Sequence, residues 1–217
     1  MIKEDIDNLY HLMRVASNGT QEEVEVFNGL ARHLFTGGDY LSLVQFSAFY
    51  GRKFLVEPVC KALREVGWPF SRIIEFGAGL GWLGRGISAG FGLVPCIFVD
   101  KRPWTLTDRV LNLESKDGRY AMVKEMQEGD LIVMADFLHC VVDPKAVMAP
   151  FSGWRKAVLE YCPRNSAYRD SYHTQIGRYG ANYIEPEGLL KLFPAESVRA
   201  VDLDPYVLLL VDKEAQA

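Results

Sequence analysis

Three short segments of this chain combine residue types that can do chemistry. The first is Glu75-Phe76-Gly77-Ala78-Gly79-Leu80-Gly81-Trp82-Leu83-Gly84, a glycine-rich run with a carboxylate at its head. Glycines so spaced let the backbone turn sharply and approach a ligand closely, and a helix that begins there offers unpaired N–H groups. The second is Asp100, an acid that closes an apolar run. One carboxylate can accept two hydrogen bonds side by side, which suits a pair of neighbouring hydroxyls. The third is Asp136-Phe137-Leu138-His139, an acid followed three residues on by an imidazole that titrates near neutral pH. Asp136 and His139 are candidates for moving a proton. A third is His173, set among Arg164, Arg169, Arg178, Tyr168, Tyr172, Tyr179 and Tyr183, a mixture able to clamp an anionic or aromatic molecule.

Alternating strands and helices must position these groups. Arg72 to Phe76, Val94 to Val99, Leu131 to Ala135 and Ala157 to Cys162 are short apolar runs that read as buried strands, with helical stretches between them. Such alternation implies a mostly parallel sheet with helices on both faces. The last two runs, Ser197 to Leu203 and Tyr206 to Asp212, are separated only by Asp204-Pro205, so they must be antiparallel neighbours. The expected α/β fold is therefore a seven-stranded, mostly parallel sheet with a reversed last strand. Residues 1–70 read differently, as a helical N-terminal cap. Thr20 and Glu23 form a capping box, Val24, Phe27, Leu30, Ala31, Leu34 and Phe35 form one apolar stripe, and further helical stretches cover about 40–49 and 53–66. The division expected is a cap at 1–70 and an α/β domain at 71–217.

Composition bounds the class. The chain has 217 residues, 49% of them hydrophobic and 12% aromatic, enough for a substantial core. With 24 basic and 28 acidic side chains, the net charge of −4 argues against a nucleic-acid partner, which needs a basic footprint. Cys60, Cys96, Cys140 and Cys162 are widely spaced, with no CxxC pair, and read as reduced thiols rather than metal ligands. The acidic N-terminus lacks a signal-peptide apolar core, and no uncharged stretch reaches membrane-spanning length. The expectation is a cytoplasmic protein without a resident metal. A homo-oligomer is compatible with these features.

Glu75-x-Gly77-x-Gly79-x-Gly81 resembles the first motif of class I (Rossmann-like) S-adenosylmethionine-dependent methyltransferases. Gly79 to Gly84 also satisfies the dinucleotide pattern GxGxxG. In that motif, however, the first glycine directly follows the strand, which would make Gly77 and Gly79 the first pair and place Trp82 where the third glycine belongs. Charge points the same way: Glu75 suits a cationic sulfonium cofactor and repels a pyrophosphate. The run Asp130 to Pro144, with Leu138-His139 after the strand and Asp143-Pro144 opening a helix, resembles the fourth-strand motif of small-molecule methyltransferases. The resemblance implies S-adenosylmethionine as cofactor, methyl transfer to a small-molecule acceptor, and cofactor contacts from Glu75, Gly77, Gly79, Gly81, Trp82, Asp100, Lys101, Trp104 and Asp136. It also implies that the 164–185 segment helps recognise the acceptor.

One interval departs from that family. Only 29 positions, 101 to 129, separate Asp100 from Asp130. A helix from Pro103 to about Glu114 leaves Tyr120 to Lys124 as the expected third strand, which would make Glu125, with Met126, the adenine contact. A single helix over 119–128 is the competing reading. Two other functional readings stay open on sequence: an NAD- or FAD-dependent oxidoreductase, and a non-catalytic binding module on the same fold.

Overall fold

A computed structural model of the protein describes residues 53–79, 81–103, 107–162, 184–203 and 206–213. The chain enters through helix α1 (Val56–Val66) and strand β1 (Arg72–Phe76), followed by α2 (Trp82–Gly90), β2 (Cys96–Asp100) and a two-residue β3 (Arg109–Val110). Next come α3 (Lys116–Glu125), β4 (Asp130–Ala135), α4 (Pro144–Met148), β5 (Arg155–Tyr161), α5 (Pro186–Leu190), β6 (Val198–Leu203) and β7 (Tyr206–Val211). The seven strands form one sheet in the order β3-β2-β1-β4-β5-β7-β6. All pairings are parallel except those of β7, which runs antiparallel to both β5 and β6. The expected architecture, with its reversed last strand, is the observed one.

Period-2 alternation divides the core between the two sheet faces. Ile73, Leu131, Val133, Ala157 and Leu159 pack on one side against Leu55, just before α1, against Val59 and Leu63 of α1 and against Leu83 and Ile87 of α2. Ile74, Phe76, Ile132, Met134 and Val158 pack on the other against Met122, Val147, Met148 and Leu189. Helix α1, the end of the expected cap, thus lies directly on the sheet. Residues 1–52, the rest of that cap, lie outside the described residues.

The third strand is not where the spacing placed it. Tyr120 to Lys124 belongs to α3, and the strand is Arg109–Val110, inside the span expected to be a helix from Pro103. Capping decides the matter. The Ser115 side chain accepts the Gly118 N–H at 3.0 Å, Asp117 lies in the first turn and Lys124 in the last, each favourable to the helix dipole. Met122 turns inward while Tyr120 is exposed, a helical rather than a strand alternation.

Candidate functional site

In the strand order, β2 and β3 lie to one side of β1, and β4 and β5 to the other, so the chain reverses direction between β1 and β4. Open α/β sheets bind ligands at such a switch point, outside the carboxyl ends of the strands. A cavity lies there. Asp100, Lys101, Arg102, Asn112, Glu114 and Asp136 are among its polar lining, beside Gly77 and Cys140, with Val99, Leu111, Leu113, Phe137 and Val141 as apolar wall.

The glycine turn forms one edge. Gly77, Gly79 and Gly81 all have positive φ, between 52° and 63°, a region closed to most side chains. A Cβ on Gly77 would stand 2.4 Å from Phe137 Cδ2, and one on Gly81 would stand 2.7 Å from Phe98. The turn is stitched down by Gly81 N–H to Ala78 O at 2.7 Å and by Ala78 N–H to Val99 O at 3.2 Å. Asp100, at the end of β2, accepts the Gly79 N–H on Oδ2 at 3.0 Å and the Arg102 N–H on Oδ1 at 2.9 Å. A carboxylate has about four acceptor positions, so both oxygens retain capacity toward the cavity.

Glu75 plays a different part. It is buried beneath the turn, and its Oε2 accepts the Gly84 N–H at 3.0 Å inside the first turn of α2. Burial pushes its pKa up to about 8, against the lowering effect of the Gly84 and Leu83 N–H groups and with a further upward push from Asp100. Trp82 is buried in the core against the opposite sheet face, so it supports the turn rather than lining the cavity.

The far edge is built after β4. Asp136 adopts φ +51°, a left-handed conformation costly for a residue with a side chain; such strain of about 1–3 kcal/mol gathers at functional sites. Its N–H bonds Leu159 O at 2.9 Å, and its Oδ1 accepts the Tyr161 N–H at 3.1 Å. His139 follows in a single 3-10 turn, Leu138–Cys140, and is buried behind the cavity wall. Its Nδ1 lies 2.6 Å from Glu160 Oε2. Glu160 Oε1 accepts the Phe137 and Leu138 N–H groups at 3.0 and 2.7 Å, which fixes the carboxylate against the start of the turn. Burial alone would lower the His139 pKa, but Cys140 and Glu160 reverse the balance and push it up to about 10. Asp136, His139 and Glu160 lie close enough to share a metal ion. Asp136 Oδ1 and Glu160 Oε1 already accept backbone N–H groups, and Glu160 Oε2 is paired with His139 Nδ1.

Several residues reach this site without having been singled out in the sequence: Arg102, Asn112, Leu113, Glu114, Phe137, Cys140 and, behind them, Glu160. Glu160 leaves one sequence signal, an acid inside the otherwise apolar run Ala157 to Tyr161. The Asn112–Glu114 segment becomes legible only once β3 is known to end at Val110. Glu125 lies away from the cavity lining, its Oε2 2.7 Å from Arg109 Nε, and Met126 packs on the core. Trp104 and His173, with the Arg/Tyr-rich stretch around His173, lie outside the described residues.

No protein-family profile and no curated protein matches the chain. Solved structures do. An O-methyltransferase family protein from Burkholderia thailandensis superposes with a TM-score of 0.55 at 10% identity, over 80% of this chain and 60% of its own. The CurJ carbon methyltransferase gives 0.56 at 16% identity, over 98% of this chain and 68% of its own. Human N-acetylserotonin methyltransferase, solved in complex with S-adenosylmethionine, gives 0.51 at 15% identity, over 94% of this chain and 66% of its own. The chain therefore has the fold of these methyltransferases and spans about three fifths to two thirds of their lengths. No helix among the described residues is long and apolar enough to cross a membrane.

Proposed function

We propose that this chain is an S-adenosylmethionine-dependent methyltransferase acting on a small-molecule acceptor. The observation that carries the reading is Asp100. Its carboxylate faces the cavity at the switch point, hydrogen-bonded to the glycine turn, with acceptor capacity left for two neighbouring hydroxyls.

The residues present fit such a cofactor. The close approach at Gly77 leaves no room for a Cβ, and the acids Asp100 and Asp136 suit a net cationic ligand. Asp100 would hold the ribose, with Lys101 beside it. The turn through Gly77, Gly79 and Gly81, together with Asp136, would take the methionine end. Leu111, Asn112 and Leu113, just after the short third strand, would receive the adenine in place of the expected Glu125 and Met126.

The bound cofactor supplies an electrophilic methyl group, and the protein's part is to align the acceptor and exclude water. Where the acceptor must lose a proton, His139 is the candidate base, with Glu160 fixing its Nδ1 and favouring the protonated ring. Calorimetric titration tests the reading directly. Saturable binding of S-adenosylmethionine and S-adenosylhomocysteine, weakened at least tenfold by Asp100→Ala, is the expected result. Saturable binding of NAD(H) or FAD with no response to S-adenosylmethionine would replace it with an oxidoreductase.

A further inference from the structure

The cavity wall that follows the short third strand carries an amide held in one orientation. Asn112 lines the cavity between Leu111 and Leu113, and its Oδ1 accepts the Glu114 N–H at 3.0 Å. A backbone N–H can only donate, so this bond identifies the oxygen end of the side chain and leaves Nδ2, with its two N–H groups, as the end still to be used. Nδ2 has no hydrogen-bond partner among the described residues. The backbone here is tied down. Asn112 O accepts the N–H and the Oγ–H of Ser115 at 3.1 and 2.7 Å, and a Cβ on Gly118 would stand 2.1 Å from that oxygen, so α3 begins pressed against it. The carboxylate of the same segment is drawn elsewhere: Glu114 Oε1 accepts the Val142 N–H at 3.1 Å, and Oε2 lies 3.7 Å from Lys101 Nζ. The wall therefore offers apolar side chains and an amide donor, with its acid tied to the loops on either side.

We propose that Asn112 donates a hydrogen bond from Nδ2 to N1 of the cofactor's adenine, so that the cavity selects its base by a ring acceptor and not by the 6-amino group. This rests on the proposed function, which puts the ribose on Asp100. Asp100 pairs in register with Val110 across β2 and β3, and Asn112 lies two residues beyond that partner. A base whose sugar end is held at Asp100 runs along Leu111 to Leu113, with its far edge toward Asn112. That edge of adenine carries N1, an acceptor, beside the 6-amino group, a donor. The Nδ2 N–H groups match N1 and oppose the amino hydrogens. Leu111 and Leu113 supply apolar surface for the ring, and the single amide fixes its orientation. A carboxylate in the place of this amide would make the opposite choice, accepting from the amino group and repelling N1.

Calorimetric titration of the full chain tests this with S-adenosylhomocysteine and its analogues: the 1-deaza compound, in which C–H replaces N1, the 3-deaza compound, and the compound lacking the 6-amino group. In the wild-type chain the 1-deaza analogue should bind at least tenfold more weakly than the parent, while the other two stay within about threefold; only the first leaves the Asn112 amide unpaired. Asn112→Asp keeps an oxygen for the Glu114 N–H but lacks the donor. In that variant the 1-deaza analogue should bind no more weakly than S-adenosylhomocysteine. Melting temperature identifies a variant that has lost its fold, and the analogue series on the wild-type chain then decides. Three results would overturn the role of Asn112 and leave the methyltransferase reading standing: equal wild-type affinity for the parent and the 1-deaza analogue, a comparable loss on removing N3 or the 6-amino group, or an undiminished 1-deaza penalty in folded Asn112→Asp. A folded chain that binds neither S-adenosylhomocysteine nor S-adenosylmethionine would overturn the methyltransferase reading, and the base recognition with it.

Discussion

The carboxylate of Asp100 holds the backbone N–H of Gly79 at 3.0 Å, so the end of β2 and the turn after β1 are one hydrogen-bonded unit at the mouth of the cavity. The same side chain that faces a ligand also fixes the loop that must receive it.

Asp100→Ala should therefore act twice. It removes a charge-assisted acceptor from the cofactor and releases Gly79, and loss of one such bond corresponds to at least a tenfold rise in dissociation constant, about 1.4 kcal/mol. Asp100→Asn, which keeps one acceptor oxygen, should fall between wild type and alanine. Calorimetric titration with S-adenosylmethionine measures both. An unchanged constant in Asp100→Ala would remove the residue from the site.

Gly77 makes a steric prediction. Alanine there must adopt φ +63° and place its Cβ 2.4 Å from Phe137 Cδ2. Left-handed backbone and overpacking together should destabilise the fold by about 2–4 kcal/mol. Adding Phe137→Ala should recover the overpacking part of the Gly77→Ala cost but not the backbone part, so a double-mutant cycle in urea should show coupling. Additive effects would mean that the Phe137 ring moves aside freely.

How much of this was readable in advance follows from what local signals can carry. Strands such as Arg72–Phe76 and the glycine turn announce themselves because burial on both faces and positive φ restrict residue choice at each position. The two-residue β3 does not, since Arg109 and Val110 are exposed and owe their pairing to β2. Without it, the spacing puts Glu125 beside the third strand, whereas the cavity runs along Leu111 to Glu114. Glu160 is illegible for a related reason: its partner His139 is 21 residues away, and only the adjacency of β4 and β5 joins them.

That pair predicts a pH dependence of stability. The folded pKa of His139 is raised from 6.5 to about 10, so its stabilising contribution is complete below pH 6.5 and declines as pH rises toward 10. His139→Gln should flatten this part of the stability curve, losing most at pH 6 and little above pH 10. Melting temperatures across that range provide the check, and parallel curves for wild type and variant would contradict the assignment.

Glu75 titrates in a separate window. Burial raises its pKa from 4.5 to about 8, so the folded protein binds a proton that the unfolded chain releases, and stability falls as pH rises from 4.5 to 8. Glu75→Gln keeps an acceptor for the Gly84 N–H and cannot ionise, so it should remove that slope. Denaturant midpoints taken through this interval would show it, and an unaltered slope in the variant would mean that Glu75 is ionised throughout.

For turnover, the raised pKa of His139 sets a distinctive expectation. A base that is mostly protonated at neutral pH acts through its small neutral fraction, so the methyl-transfer rate should climb with pH, approaching tenfold per unit below pH 10. His139→Asn should lower turnover at least tenfold and abolish that climb while leaving cofactor affinity within about twofold, the signature of an interaction made only during reaction. Glu160→Gln, which retains a hydrogen-bond partner for the ring but not its charge, should move the climb to lower pH. Initial rates from pH 6.5 to 10 on any accepted substrate, with parallel cofactor titrations, separate the cases. A variant with full turnover and an unchanged profile would show that the acceptor loses its proton elsewhere.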